Sequence, residues 1–367
     1  MKQVDYRAAL GRSGGWWAKF REASRILYSW EARRKLAALL DAEPVDLAHI
    51  HNIYHQISPS ILPLLKQRGL PVIMTLHDWK LICPNYRLYR QGKICEACKG
   101  QRYYQAVAKK CVMESRAASL LNCLEAYLHH RLRIYESNVD YFICPSEFMK
   151  HKMAEHGLPE NKLRVIHNGV EVQTFRSSSD DCGFILYFGN LTEEKGVFTL
   201  LEAARFLKTK EIVVTGTGPA ALPLREKAAH LGIKNIRFLG FVPEETLVAT
   251  LRGASFTVIP SQWYENFPSS VLESMAYGKP VIGSRIGGIP EQVEDGVNGL
   301  LFEPGNAVDL AEKINYLAAR PSLVREMGYN ARRTVKTKYS MDRHYEQVMA
   351  LYNEARMQHT KLTKKLQ

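Results

Sequence analysis

Glu265 and Glu273 carry the strongest chemical signature in the chain. They lie in Ser261-Gln-Trp-Tyr-Glu-Asn-Phe-Pro-Ser-Ser-Val-Leu-Glu273. Pro268 biases Phe267 toward an extended backbone, so Asn266 and Phe267 are expected in a loop. Pro268 or Ser269 can open a helix, and Gly278 can end it. The free N–H groups of that first turn, added to the helix dipole, make an anion site suited to a diphosphate. Glu273 lies about one turn inside the helix, where its carboxylate can accept hydrogen bonds from a ribose diol. Glu265 sits on the preceding loop, nearer any group beyond the phosphates. Two carboxylates held apart in this way suit the recognition of sugar hydroxyls and need not be a general acid/base pair. The same spacing also fits a solvated loop acid and a helix-start acid favoured by the dipole. Spacing alone leaves the two readings level.

His77, in Thr75-Leu-His-Asp-Trp-Lys80, follows an apolar run. Residues at strand ends of a parallel sheet face the ligand. A neutral imidazole there can donate or accept a hydrogen bond, and a strand-end histidine satisfied by its neighbours is the plainer reading. His49, His51 and His55 recur at spacings of two and four, which do not place three ligands on one helix face. His51 and Asn52 are read as cleft lining on the acceptor side. Four of the seven cysteines cluster as Cys83-x11-Cys95-x2-Cys98-x12-Cys111. The insertion they span, 83–111, is rich in Lys, Arg, Tyr and Gly and too polar to hold itself by a core. A structural zinc held by four thiolates is the natural solution in a reducing compartment. An iron–sulfur cluster uses the same ligands, and free thiols, or disulfides in a secreted chain, are the alternatives. Cys123, Cys144 and Cys182 lie in apolar or linker contexts and read as structural.

The elements that must position these groups form a regular series. In the second half, Phe184-Ile-Leu-Tyr-Phe188, Ile212-Val-Val-Thr215, Ile236-Arg-Phe-Leu239, Phe256-Thr-Val-Ile259, Pro280-Val-Ile282 and Gly299-Leu-Leu-Phe302 read as strands. Helical spacing fills 197–208, 222–231, 244–253, 269–277 and 309–319 between and after them. Such alternation means a doubly wound parallel sheet with its ligands at the carboxyl ends of the strands. The first half repeats the theme with strands expected at 46–50, 71–76, 141–144 and 163–166 and a helix over 120–138. The polar stretch 173–183 reads as a linker. The expected division is 1–172, linker 173–183, 184–340, and a helical tail 341–367 that crosses back to the first unit.

The second half resembles the donor domain of the retaining GT-B glycosyltransferases of family four. Seven words carry the resemblance, in order: Tyr187-Phe-Gly-Asn-Leu-Thr-Glu-Glu-Lys-Gly196, Thr215-Gly-Thr-Gly-Pro219, Ile236-Arg-Phe-Leu-Gly-Phe241, Glu265-Asn-Phe-Pro-Ser-Ser-Val-Leu-Glu273, Gly278-Lys-Pro-Val-Ile282, Gly287-Gly-Ile-Pro-Glu291 and Asp295-Gly-Val-Asn-Gly299. Each word is weak alone; the ordered set is specific. It extends upstream through 46–55, 75–86 and 145–170. The resemblance implies an α/β GT-B fold, with two Rossmann-like domains facing across a cleft. It implies transfer of a hexose-type sugar from a nucleotide-diphosphate sugar to an acceptor hydroxyl, with retention and with no metal or other cofactor required for catalysis. Glu265 would contact the donor sugar, and Glu273 the ribose. The backbone of Asn266 and Phe267 would lie near the sugar, and that of Pro268, Ser269 and Ser270 near the phosphates. Lys195 would neutralise the diphosphate, Gly189 and Gly216 would allow close backbone approach, and His77 would line the opposite wall. Asn190 stands where many members carry arginine, which leaves Arg285 as the candidate for a second charge. The segment 1–45 reads as helical and basic, so the first domain is expected to lack an initial strand–helix–strand piece.

Composition limits the setting. The net charge is +13, and residues 1–170 hold 26 Lys/Arg against 15 Asp/Glu. That half should attract a polyanion or an anionic membrane surface. No helix-turn-helix, RNP or finger pattern is present, so nucleic acid is not expected. No apolar run is long enough to span a bilayer and the start lacks a signal-peptide core, so the expected location is cytoplasmic, peripheral on the inner membrane face. The acceptor expected there is a sugar or lipid-linked sugar in cell-surface polysaccharide or glycolipid synthesis. Two other functions fit the same words: a non-catalytic nucleotide-sugar-binding protein and a GT-B nucleotide-sugar epimerase.

Overall fold

The computed structural model describes residues 25–55, 57–172, 182–207 and 210–366, with side chains as far as residue 360. Much of the segment 1–45 and most of the expected linker 173–183 therefore lie outside the described residues.

Continuous apolar runs become strands covered on both faces, as parallel sheets require. In the first half these are β1 (Ala48–His51), β2 (Val72–Thr75), β5 (Tyr141–Cys144) and β6 (Leu163–Val165), paired in parallel in the order β1-β2-β5-β6. Between β2 and β5, the short antiparallel hairpin β3 (Tyr89–Arg90) and β4 (Lys93–Ile94) lies inside the cysteine-bearing insertion. The second sheet holds β7 (Phe184–Phe188), β8 (Ile212–Thr215), β9 (Ile236–Gly240), β10 (Ala254–Ile259), β11 (Val281–Ser284) and β12 (Gly299–Phe302). Its order is β12-β11-β10-β7-β8-β9, all parallel. The chain winds outward from β7 to β9, then returns to β10 on the other side of β7. That reversal between β7 and β10 is a topological switch point, where the strand ends leave a crevice for a ligand.

Each sheet has its own core. Ile185, Tyr187, Leu200, Val214, Phe256 and Ile282 lie in one, and Leu62, Val72, Met74, Trp79, Phe142 and Met149 in the other. Burying a side chain such as Phe256, fully inaccessible here, contributes ~1.5–3 kcal/mol. The helix Pro321–Lys338 packs Ala331 and Val335 on the second unit. The chain then reverses at Ser340, where the Val170 N–H donates to the Tyr339 carbonyl at 3.0 Å and the Met341 N–H to the Val170 carbonyl at 3.1 Å. The last helix, Met341–Leu366, runs back over the first sheet and buries Leu351 and Ala355 against Ile73, Tyr141 and Ile143. Among the described residues no helix is long and apolar enough to cross a membrane.

Two helices differ from expectation. The stretch 120–138 is not one helix but two, Arg116–Arg131 and Ile134–Asn138, broken at Arg133 with φ 47°. The break turns the chain so that Ile134 and Tyr135 reach the core. The helix Pro321–Lys338 was not anticipated, although Val324, Met327, Ala331 and Val335 recur at helical spacing.

The first unit also encloses an ion pair. Lys80 Nζ lies 2.8 Å from Glu125 Oε2, and their side chains are 7% and 1% exposed. His55 Nε2 approaches the same oxygen at 3.2 Å. Burial raises the Glu125 carboxyl, but the Lys80 charge and the bond from His55 outweigh it and hold it down to about 2. Its contribution to stability is therefore present above the ordinary value of 4.5 and is lost as pH falls toward 2. Lys80→Met strands the carboxylate and should cost ~3–5 kcal/mol at neutral pH. Urea unfolding would read this, and a loss below ~1 kcal/mol would show that the pair does not hold this core together.

Candidate functional site

The loops after β7 and β10 meet at the switch point because glycines let their backbones touch. A Cβ on Gly216 would lie 1.9 Å from the Gly189 carbonyl oxygen, and one on Gly196 would lie 1.7 Å from that of Pro260. Gly196 closes the turn Glu193–Lys195 at φ 70°. This close approach delivers Lys195 to Glu265. Lys195 Nζ lies 2.7 Å from Glu265 Oε1, and the Ser261 hydroxyl donates to the same oxygen at 2.6 Å. Glu265 is 5% exposed, and the Lys195 ammonium also stands 5.1 Å from the Trp263 ring centroid. One of the three ammonium donors thus serves Glu265, which leaves the others for an anion.

The loop between Glu265 and the helix Ser269–Ala276 is clamped from behind. The Gly288 N–H donates to the Glu265 carbonyl at 2.7 Å. A Cβ on Gly287 or Gly288 would come within 2.4 or 2.0 Å of the Glu265 and Asn266 carbonyl oxygens. Phe267 is buried and stacks on His167 with ring centroids 4.8 Å apart. Pro268 caps the helix in extended conformation, as expected. The N–H groups of Ser269 and Ser270 have no acceptor among the described residues. The half-buried Glu273 carboxylate, raised above its ordinary value by desolvation, likewise accepts no bond from a described residue. Diphosphate-type donors and a diol-type acceptor therefore share one short helix start. Asn190 is exposed, and its carbonyl accepts from the Tyr187 hydroxyl at 2.8 Å. Arg285 does not replace the missing arginine. It turns to Asp295 at 3.1 Å and Glu303 at 3.5 Å, because those acids flank it on its own loop and strand end.

The opposite wall is a run of imidazoles at the end of the first sheet. The Asn266 side-chain amide donates to the His77 carbonyl at 2.5 Å, so the two halves of the site touch. His77 Nε2 and His51 Nδ1 are 2.7 Å apart, and His51 packs 4.3 Å from His49 between ring centroids. His49 is held by Thr75 Oγ1 at 2.7 Å and by the Tyr352 hydroxyl at 2.6 Å, so the crossing helix fixes the run from the far side. Burial, then the neighbouring His51 and His77, lower His49 from 6.5 to about 4. His51 and His77 are lowered too, again first by burial. Neutral rings can share one proton between His51 and His77; two charged rings would repel. Asn52 adopts φ 40° and lines a neighbouring cavity.

Three contacts across the cleft were not singled out from the sequence. Glu291 caps the helix Glu147–Glu155 from the other unit, accepting from the N–H groups of Glu147 and Phe148 at 2.8 and 2.7 Å. Glu291 ends the motif Gly287-Gly-Ile-Pro-Glu291, but nothing local in the sequence assigns it to a distant helix. The Tyr264 hydroxyl donates to Glu96 Oε1 at 3.0 Å, and Arg87 lies 3.4 Å from Glu194. The cysteine-bearing insertion therefore reaches the donor loops.

The insertion brings its cysteines near one another: burial, then the neighbouring Cys83, Cys111 and Cys95, raise the Cys98 thiol above its ordinary value. Among the described residues no three His, Cys, Asp or Glu side chains are placed to hold a metal ion. The Cys83 thiol donates to Asn85 Oδ1 at 2.9 Å, while Cys98 packs with Cys123 and Tyr103. The insertion packs on that small apolar cluster and contacts the neighbouring loops.

Comparison with known proteins gives the same picture at two levels. A family model described as "Glycosyl transferases group 1" matches residues 172–334, and one described as "Glycosyltransferase Family 4" matches residues 17–174. An uncharacterized glycosyltransferase of Methanocaldococcus jannaschii is 28% identical over 92% of this chain and 82% of its own length. The amylovoran biosynthesis glycosyltransferase AmsK of Erwinia amylovora is 29% identical over 61% of this chain and 58% of its own length. Among solved structures, Anabaena Alr3699/HepE in complex with UDP superposes with a TM-score of 0.67 at 18% identity, over 88% of this chain and 82% of that one. Sucrose-phosphate synthase of Thermosynechococcus elongatus gives 0.66 at 21% identity, over 88% and 76%. At such identities the structural likeness speaks to the fold.

The histidine run makes a pH prediction. The unfolded chain takes up protons below about 6.5, while folded His49 stays neutral to about 4. More protons bind the unfolded state in that window, so stability falls as pH drops from 6.5 to 4. His49→Gln should flatten this part of the Tm-against-pH curve. Parallel curves for the two proteins would contradict the assignment.

Proposed function

Because this chain belongs to the group 1 glycosyltransferases, which share the GT-B fold, we propose that it moves a hexose-type sugar from a nucleotide-diphosphate sugar to an acceptor hydroxyl with retention of configuration. The observation that carries the reading is the helix start at Ser269, with unpartnered N–H groups, set beside Lys195 and Glu265 at the switch point. Diphosphate oxygens would take the Ser269 and Ser270 N–H groups and the remaining donors of Lys195. The bond from the anomeric carbon to the diphosphate would break as negative charge gathers on the leaving group, where those donors stabilise it most. Glu273 would hold the ribose diol. Glu265, fixed by Lys195 and Ser261, would orient a sugar hydroxyl, with the Asn266 and Phe267 backbone alongside. His77 would line the far side. Closure of the cleft, supported by the Asn266 contact and the Glu291 cap, would keep water from the donor.

The names of relatives support the setting. Amylovoran biosynthesis and D-rhamnosyl transfer, named for AmsK and for WbpZ of Pseudomonas aeruginosa, support a role in cell-surface polysaccharide or glycolipid synthesis. The excess of 26 Lys/Arg over 15 Asp/Glu in residues 1–170 supports an acceptor displayed on an anionic membrane surface. HepE was crystallised with UDP-glucose, which makes that donor the first to try.

Calorimetric titration with a panel of nucleotide sugars, followed by turnover assays, tests the reading. The best donor should bind Glu273→Ala about 10–100-fold more weakly, through loss of hydrogen bonds to a charged group. Lys195→Ala should lower kcat about 10²–10³-fold. Donor binding insensitive to Glu273→Ala would refute the site. Donor isomerisation without acceptor would favour the epimerase, and binding without turnover on a broad acceptor panel the binding protein.

A further inference from the structure

A cavity of about 1390 Å3 opens between the insertion and the turn Glu193–Lys195. Its walls come from the loops after β1 and β2, from residues 85–91 around the hairpin, and from residues 108–114. Six of its lining residues, Asn52, Tyr86, Gln91, Lys110, Met113 and Glu114, hold φ between 40 and 55°. Only ten described non-glycine residues have positive φ, so this backbone strain is concentrated at one place. Strain of that kind persists where the surrounding structure imposes it and gathers at ligand sites.

The side chains have a matching polarity. Tyr89 is 6% exposed, lines the cavity, and its hydroxyl has no partner among the described residues. A buried phenol left unbonded is costly unless a ligand satisfies it. Arg90, Lys109 and Lys110 line the insertion side and form no ion pair with a described residue. Lys80 and Arg87 are different, being engaged by Glu125 and Glu194. Glu193 and Glu194 stand on the donor-side turn, with Glu193 Oε1 against Gly92 at the hairpin tip. Asp78 accepts from the Lys80 N–H at 2.9 Å, and Glu114 is exposed. The cavity thus carries unpaired cations, Arg90, Lys109 and Lys110, on the insertion and the carboxylates Glu193 and Glu194 on the donor-side turn.

We propose that this cavity is an acceptor subsite for a glycosyl unit bearing an anionic substituent, a phosphate or a carboxylate, gripped by Arg90, Lys109 and Lys110. The proposal rests on the glycosyltransferase reading of the cleft. The Tyr89 hydroxyl bonds a hydroxyl of that unit, and the Glu193 and Glu194 carboxylates leave its neutral, hydroxyl-bearing side toward the donor. The insertion that supplies the cations also contacts Glu193 and Glu194, next to Lys195. Occupancy of the subsite is thereby sensed by the turn that carries the donor lysine.

Saturation-transfer NMR titrations test this on the full chain. The probes are glucose 6-phosphate, glucuronic acid and neutral methyl glucoside, each added with a saturating nucleoside diphosphate chosen by thermal shift from UDP, GDP and ADP. The diphosphate blocks the donor site, so phosphate probes report the second cavity. At least one anionic probe should bind about tenfold more tightly than methyl glucoside. Arg90→Ala with Lys109→Ala should erase that preference while nucleoside diphosphate affinity stays unchanged. The exposed Lys110→Glu, which has no packing role, should reduce it even if the double variant folds poorly. Response to the phosphate probe alone assigns a phosphorylated acceptor, and response to glucuronic acid alone an acidic sugar. Equal binding of neutral and anionic probes, or a preference that survives Lys110→Glu and the double variant, overturns the proposal. Failure of every nucleoside diphosphate to bind would instead strike the underlying glycosyltransferase reading, and that is read separately.

Discussion

The short bond between Lys195 and Glu265 joins two loops that leave neighbouring strands where the second sheet reverses its order. Everything else near the cleft is arranged to permit it. Glycine at 196 and 216 lets the loop backbones meet, and glycine at 287 and 288 clamps the acidic loop from behind. Glu265 is nearly dry, so losing Lys195 would leave a buried carboxylate short of its charge partner. A pair of this kind does little for stability compared with an apolar contact, and its value lies in fixing direction. It sets one carboxylate oxygen and one ammonium in register with the helix start at Ser269. Phosphate charge and sugar hydroxyls are then read by adjacent groups that cannot drift apart.

The second constraint is the way the halves hold each other. Glu291 serves the N-terminus of a helix in the other unit, where two N–H groups and the helix dipole favour a carboxylate. Asn266 reaches the His77 backbone, and the last helix braces His49 through Tyr352. The donor loop, the histidine run and the crossing helix therefore form one connected network. Proton uptake by the histidines would load positive charge onto that network, which links the pH response to the geometry of the cleft.

Much of this was legible in the sequence. Buried-strand runs, helix starts and glycine positions marked the second sheet closely, because parallel strands covered on both faces must be apolar throughout. Pro268 and Glu273 marked the helix start for local reasons, and the structure keeps both as expected. What local pattern could not supply was partnership between distant residues. Lys195 was read as a phosphate ligand, and the structure adds its bond to Glu265. Arg285 was a candidate for a second charge at the donor, and the structure pairs it with Asp295 and Glu303. The four-cysteine group was legible as a group, but spacing fixes neither the burial nor the direction of each thiol: Cys83 turns to an asparagine and Cys98 to an apolar cluster. The single helix expected over 120–138 failed at Arg133, where tertiary packing of Ile134 and Tyr135 overrode local propensity.

The central claim is that Lys195 and Glu265 act on the donor as one unit. A double-mutant cycle with Lys195→Ala, Glu265→Gln and the combined variant, read as the affinity of the best nucleotide sugar relative to its bare nucleoside diphosphate, tests it most directly. The predicted result is strong non-additivity, with a coupling of ~1–3 kcal/mol carried by the sugar-dependent part of binding. Simple additivity of the two single losses would contradict the account.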